Sequence, residues 1–151
     1  MSTTIRDARP DDADGLARLL EQLGYRTNAN AVASRLERLR IVGDRVVVAE
    51  LEGEVVGLAH LHVSPALEYD QPAAKIGALV VDESHRGQGI GRVLVEAMEN
   101  EARTRRCALL FLTTSVRRDD AHEFYRRVGL EETGLRFAKT LEERGTSRDS
   151  P

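Results

Sequence analysis

The sequence predicts an α/β protein with a mixed, mostly antiparallel central sheet of six to seven strands and helices on both faces. Three strand-like apolar stretches follow one another at Val46–Leu51, Val55–Val63 and Ala74–Val81, as in consecutive antiparallel hairpins. Helical and strand patterns then alternate toward the C-terminus, as in βαβ units. The length of 151 residues, of which 41% are hydrophobic, is sufficient for one domain with a sizeable core.

The N-terminal third predicts one strand and two helices. Thr4–Ala8 forms the strand, and Pro10 begins a helix because proline is favoured in a first helical turn. Gly24 ends that helix, whose apolar face repeats at helical spacing through Leu16, Leu19, Leu20 and Leu23. The second helix carries its apolar face at Val32, Leu36 and Leu39.

The middle of the chain predicts a hairpin and then a long loop. Glu52 and Gly53 separate the first two apolar stretches, which is typical of a two-residue hairpin turn. Ser64–Pro72 predicts the loop before the next strand.

The C-terminal half continues the alternation. A helix with one apolar stripe runs from Ile90 to about Arg105, and Leu109–Thr113 follows as a buried strand. A further helix ends at Gly129, and Leu135–Leu141 predicts the last strand, with an extra strand near 131–133 as an option. We expect a domain over residues 1–141 and a flexible tail over 142–151.

A glycine-rich loop after the strand 74–81 is the most informative segment. Strand, glycine loop and helix start together present unpaired backbone N–H groups to a phosphate, and the helix dipole adds positive charge there. The alternating glycines lack the spacing of a dinucleotide fingerprint, and no Gly-Lys-Ser/Thr follows as in a Walker loop. The loop reads Arg86-Gly87-Gln88-Gly89-Ile90-Gly91-Arg92.

This loop resembles the R/Q-x-x-G-x-G/A signature of the GCN5-related N-acetyltransferases, and the element order is similar to that fold from about residue 3 to 141. The resemblance implies acetyl-CoA as acyl donor, with its pyrophosphate at the loop and its pantetheine amides paired to the preceding strand. The cofactor-binding residues so implied are Leu79, Val80, Val81, Arg86, Gly87, Gln88, Gly89, Ile90, Gly91 and Arg92.

A second patch, Ala121 to Leu130, is similar to the family's A-x-x-F-Y-x-x-x-G-F element, with Leu130 in place of phenylalanine. In the family the tyrosine lies near the CoA sulfur, which implies that Tyr125 protonates the departing thiolate. Arg118 stands where the family often has an asparagine that contacts pantetheine. Arg117 and Arg118 are therefore either contacts to a CoA phosphate or solvated loop charges.

The acceptor implied by the resemblance is a primary amine, which must lose a proton before it attacks. Many relatives carry a glutamate for this on the strand before the loop, but residues 74–79 here contain no carboxylate. His60 and His62 lie on one face of the neighbouring strand and are candidate bases. Glu68 and Asp70 are further candidates, and a water relay of the proton is the alternative. No third ligand accompanies the two histidines, so no metal site is predicted.

The loop at 64–72 supplies the candidate acceptor site. Glu68, Tyr69 and Asp70 would attract an ammonium group by charge and by cation–π contact, and are otherwise ordinary loop residues. His85 and His122 are interpreted as surface residues or cofactor neighbours.

Composition restricts the remaining choices. The net charge of −3 gives no indication of nucleic-acid binding, and no apolar run is long enough for a membrane span. The N-terminus lacks a signal-peptide core, and the single cysteine, Cys107, predicts a buried structural thiol in a cytoplasmic protein.

The hypothesis is an N-acetyltransferase working by direct attack in a ternary complex, with a small cationic amine favoured over a protein lysine or N-terminus. The sequence leaves a homodimer as an option for the oligomeric state. The alternative functional hypothesis is a non-catalytic acyl-CoA-binding module.

Overall fold

A computed structural model describes residues 2–113 and 119–142. The strands are β1 (Thr4–Asp7), β2 (Arg45–Leu51), β3 (Glu54–Ser64), β4 (Ala73–Val81) and β5 (Leu109–Phe111). The helices are α1 (Ala13–Leu23), α2 (Ala29–Ile41), α3 (Ile90–Thr104) and α4 (Asp119–Arg127), with single 3₁₀ turns at Pro10–Asp12 and Glu83–His85. Arg117, Arg118 and the expected tail beyond Glu142 lie outside the described residues.

The strands form one sheet in the order β1-β2-β3-β4-β5. The first four pair antiparallel, and β5 pairs parallel to β4, because the chain crosses over through α3 between them. The mixed, mostly antiparallel sheet is therefore confirmed. The predicted two-residue hairpin is also present, since Glu52 and Gly53 both adopt positive φ angles between β2 and β3.

The prediction of six to seven strands is wrong for the described residues, which contain five. Neither 131–133 nor Leu135–Leu141 forms a strand, and Leu135 and Phe137 are 71% and 91% exposed. Their alternation with polar residues fits a half-buried strand, but a strand also requires a neighbouring edge to pair with. The segment pairs with no strand edge in the described part of the chain, so the pattern alone does not produce a strand.

Strand β5 also differs from the prediction of a buried strand over Leu109–Thr113. It is three residues long, and Leu109 and Phe111 are partly exposed. The strand is last in the sheet order, and β4 is its single neighbour among the described residues, so one edge and part of each face remain open there.

Helices pack on both faces of the sheet, as predicted. Leu94 and Met98 of α3 are fully buried on one face, together with Leu61 of β3. On the other face, Leu16 and Leu19 of α1 pack with Leu58 of β3 and with Val32 of α2. Each fully buried leucine contributes about 1.5–3 kcal/mol of transfer free energy, so these two layers hold β3 and β4 rigidly at the centre.

None of the helices in the described segments is long and apolar enough to cross a membrane. Cys107 is half-buried rather than fully buried, and it packs beside the core under α3. Burial raises the pKa of its thiol, which favours the unreactive protonated form and agrees with a structural role.

Candidate active site

Strands β4 and β5 separate after a short paired segment. β5 pairs with β4 only at Ala73, Ala74 and Lys75, so within the described residues the rest of this β4 edge has no strand partner. The β3–β4 register shifts in the same place: Leu61 pairs with Ile76 and His60 with Ala78, which leaves Gly77 as an unpaired bulge residue. The result is a fork whose open arm, 76–81, presents backbone N–H and C=O groups to an extended ligand.

The open arm of β4 leads directly into the glycine loop. Gly87 and Gly89 adopt φ angles of 79° and 84°, where side chains are rarely accommodated, and a Cβ on either would meet no atom within 4 Å. The backbone there is consequently bare and accessible. Gly89 is the N-cap residue of the 15-residue helix α3, whose first N–H groups and dipole favour a pyrophosphate.

The third glycine of the loop has a different role. Gly91 lies in the first turn of α3, and a Cβ on it would come within 3.0 Å of the Phe124 ring. A glycine is therefore required for α4 to pack closely against the start of α3. This packing brings Tyr125, whose ring meets Phe124 edge to face at 5.6 Å, to the same place.

The open arm, the glycine loop and α4 line one cavity of about 560 Å³. Its walls include all the predicted cofactor-binding residues except Gln88, and they also include Tyr125, Phe124, Arg127 and Leu23 of α1. The cavity thus joins the bare backbone of the glycine loop at one end to strand backbone at the other. The residues present fit an acyl-CoA molecule in its pyrophosphate and pantetheine portions.

Asp82, at the turn between β4 and the glycine loop, is a buried carboxylate that sequence reasoning missed. It accepts hydrogen bonds from Ser84, Gln22 and His85 and forms a 2.9 Å salt bridge with Arg18. The hydrogen bonds, Ser84's foremost, and the Arg18 charge lower the pKa of Asp82 well below its usual range. Because Arg18 and Gln22 belong to α1, the carboxylate ties that helix to the cofactor loop.

The two candidate histidines do lie on one face of β3, and a third residue joins them. His60 Nε2 and His62 Nδ1 each lie 2.7 Å from a different oxygen of Asp44, whose side chain is 3% exposed. These are direct hydrogen bonds, and the described residues contain no group of three or more ligands suited to a metal ion. Asp44 was missed because only the pairing of β2 with β3 brings it next to His60.

His60 also lies against the bulge of β4. A Cβ on Gly77 would be only 2.6 Å from His60 Nδ1, so the imidazole occupies the space that a side chain there would need. His60 therefore lies at the apex of the fork, whereas His62 is 45% exposed and is paired across the sheet with Lys75.

The predicted acceptor residues lie beyond the paired segment of β4. Glu68, Tyr69 and Asp70 are exposed in the loop between β3 and β4, and the structure does not bring them into the cofactor cavity. His85 lines that cavity and contacts Asp82. His122 is half-buried on α4.

Comparison with known proteins agrees with this geometry. Residues 15–130 match the Acetyltransferase (GNAT) family. An aminoalkylphosphonate N-acetyltransferase from Salmonella typhimurium is 33% identical over 91% of this chain and 90% of its own length. An aminoglycoside N(6')-acetyltransferase type 1 from Stenotrophomonas maltophilia is 29% identical over 86% of this chain and 87% of its own length.

A solved structure shares the fold. It is an aminoglycoside N-acetyltransferase in complex with CoA, with a TM-score of 0.78 at 19% identity over 95% of each chain. The matching family covers most of the sequence, including the fork strand, the glycine loop and the tyrosine-bearing helix. The chain belongs to the GNAT family of acetyltransferases and is an acetyl-CoA-dependent N-acetyltransferase.

Proposed function

We propose that this chain transfers the acetyl group of acetyl-CoA to the primary amine of a small molecule, by direct attack within a ternary complex. The observation that carries the proposal is the fork between β4 and β5, which adjoins both the bare glycine loop and Tyr125. Pantetheine paired along Leu79–Val81 would bring its thioester toward Gly77 at the apex of the fork. Cofactor and acceptor would then meet without a covalent enzyme intermediate.

The side chains of the site are assigned to the proton transfers that accompany this attack. An amine with a pKa of about 10 arrives as an ammonium and must give up a proton, for which the histidine face of β3 is suited. Backbone N–H groups of the open arm would stabilise the oxyanion. Tyr125 would protonate the thiolate as it leaves. Half-buried Cys107 packs beside the core, so no role as a nucleophile is assigned to it.

A small acceptor is favoured by the names of the two relatives, which act on an aminoalkylphosphonate and on an aminoglycoside. Apart from the reacting amine, an aminoglycoside carries positive charges and an aminoalkylphosphonate carries a negative charge. The chain has charged side chains that would attract each of them. Glu68 and Asp70 would attract the additional ammonium groups of an aminoglycoside or a polyamine. Lys75, on β4 opposite His62, would attract a phosphonate or a carboxylate, so an anionic amine is the second candidate.

Turnover with an amine panel tests the proposal. Wild-type protein is given acetyl-CoA with a polyamine, an aminoglycoside, an aminoalkylphosphonate, an amino acid and a lysine-containing peptide. Free thiol and the mass of each product are followed. We expect stoichiometric thiol release and N-acetylation of at least one small amine, with the peptide poorer. Binding of acetyl-CoA without thiol release for every amine would contradict the proposal and support a non-catalytic acyl-CoA-binding module.

The cellular setting belongs to the proposal as well. We assign the reaction to the cytoplasm, which the lone cysteine supports because disulfide-rich proteins are typical of oxidising compartments. A homodimer is the assembly to be tested, by light scattering at concentrations used for the assay.

A further inference from the structure

Asp44 gives the two histidines of β3 different chemical roles, and this extends the proposed function, on which it rests. A carboxylate can only accept hydrogen bonds, so the nitrogen that faces it carries the hydrogen of a neutral imidazole. The nitrogen facing Asp44 is Nε2 in His60 and Nδ1 in His62. The free lone pair is therefore on Nδ1 of His60 and on Nε2 of His62.

Only one of these lone pairs lies at the fork. His60 Nδ1 is the atom that a Cβ on Gly77 would approach to 2.6 Å, and Gly77 is the exposed bulge residue where β4 has just lost β5 as a partner. The side chain of His62 is 45% exposed, and it lies two cross-strand pairs further along, opposite Lys75. The same carboxylate thus directs one lone pair to the apex of the fork and leaves the other among more exposed groups.

The neighbouring structure holds Asp44 in place. Its side chain is almost fully buried, and its backbone N–H bonds to Leu39 O at the end of α2. The preceding residue, Gly43, has its carbonyl bonded at 2.8 Å by Arg105, which in turn pairs with Glu101 of α3. These contacts hold the backbone of Asp44 from α2 and from the end of α3, and its carboxylate in turn orients the imidazole rings that it bonds.

We propose that His60 is the general base that takes the proton of the acceptor ammonium through Nδ1, and that Asp44 is the positioning residue that makes it so. In the step, Nδ1 takes one proton from R–NH₃⁺, and Asp44 stabilises the imidazolium. The amine lone pair then attacks the thioester carbon, and the C–S bond breaks. The sulfur takes a proton from Tyr125, which regains one from the acylated nitrogen. The imidazolium returns its proton to water, so the products are the amide, CoA thiol and one proton.

Gly77→Ala gives the sharpest test because it displaces the His60 ring while His60 and Asp44 both keep their side chains. The new methyl group would come within 2.6 Å of Nδ1, so the His60 ring must move away from the apex of the fork, while the backbone of Gly77 requires no positive φ angle. We expect kcat to fall about 100-fold, the usual contribution of general base catalysis, with acetyl-CoA affinity within twofold of wild type. Gly134→Ala is the matched control, since a Cβ there meets nothing within 4 Å and the residue lies outside the site.

His60→Ala removes the base and creates space for a replacement. We expect a comparable loss of kcat, partly restored by added imidazole, whereas His62→Ala should lose less than fivefold and gain nothing from imidazole. A kcat equal to that of wild type in both His60→Ala and Gly77→Ala, with chemistry rate-limiting, would overturn the proposal. Wild-type protein without turnover on any amine would instead contradict the proposed function itself.

The tautomer that Asp44 imposes on His60 can be measured without an acceptor. Nitrogen NMR of histidine-labelled wild-type protein should show His60 as the Nε2–H tautomer, and Asp44→Asn should change that tautomer and lower kcat at least tenfold while acetyl-CoA affinity holds. A His60 ring that carries its hydrogen on Nδ1 in the neutral wild-type protein would overturn the assignment.

Discussion

The two ends of β4 adjoin the two halves of the proposed site, and these halves are built by different physical means. At its C-terminal end, the proposed cofactor site is built from backbone: positive-φ glycines, a helix start and a strand edge that has no partner among the described residues. At its N-terminal end, the proposed proton-transfer site is built from side chains of separate elements, Asp44 before β2 and His60 on β3, which lie beside the bulge of β4. We therefore expect changes at the first end to alter cofactor affinity and changes at the second to alter turnover.

Gly89→Glu should have the largest effect, and it affects the backbone end alone. It adds a side chain and a negative charge at a positive-φ position where the pyrophosphate is expected. We expect acetyl-CoA affinity to fall at least 100-fold by calorimetry. Gly134→Ala is the folding control, and an unchanged affinity in a folded Gly89→Glu protein would remove the loop from the cofactor site.

Tyr125→Phe tests the general-acid role proposed for Tyr125. Removal of the hydroxyl should leave the packing on Phe124 and the cofactor affinity intact while kcat falls about tenfold to 100-fold. The lower figure applies if the thiolate leaves easily without a proton. Steady-state kinetics with chemistry shown to be rate-limiting checks this, and a kcat within twofold of wild type would exclude the general-acid role.

Asp82→Asn tests the tie between α1 and the cofactor loop. Loss of the carboxylate leaves Arg18, Gln22 and Ser84 with poorer partners, so the free energy of unfolding should fall by about 1–3 kcal/mol at pH 7. Denaturant unfolding measures the change. The exposed pair of Glu99 with Arg103 offers a control, because Glu99→Gln should leave the unfolding midpoint unchanged.

The pH dependence of the Asp82 effect has a definite sign. The pKa of Asp82 is lowered in the folded protein, so its stabilisation is fully present above its unfolded pKa, about 3.9, and is lost as the pH falls toward the folded value. The difference in stability between wild type and Asp82→Asn should therefore shrink below about pH 4. A difference that grows on acidification would contradict the assignment.

The smallest expected effects distinguish the two acceptor classes. Replacing Glu68 and Asp70 by their amides should raise KM for an aminoglycoside or polyamine several-fold, since an exposed charge contact is worth about 1 kcal/mol or less. Lys75→Gln should instead raise KM for an aminoalkylphosphonate. Both effects should weaken with salt. Equal changes for cationic and anionic amines would remove both groups from acceptor recognition.

The contrast between the ends also explains what the sequence could predict. Positive-φ glycines, an N-cap and a buried strand are local features, so the glycine loop and its helix could be predicted from residues 79–92. Asp44 and Gly77 could not, because their roles arise from strand register and from a bulge that no local pattern encodes. The segment Leu135–Leu141 shows the converse, since its alternating pattern lacks a paired edge in the described residues and forms no strand.

One pair of variants tests the separation of the two ends most directly. Acetyl-CoA dissociation constants and kcat at saturating cofactor are measured for Gly89→Glu and Gly77→Ala in parallel. The account predicts that Gly89→Glu loses cofactor affinity, while Gly77→Ala keeps its affinity within twofold and loses kcat about 100-fold. If Gly77→Ala keeps its kcat, or if both variants lose affinity and nothing else, the division of β4 into a cofactor end and a proton-transfer end is contradicted.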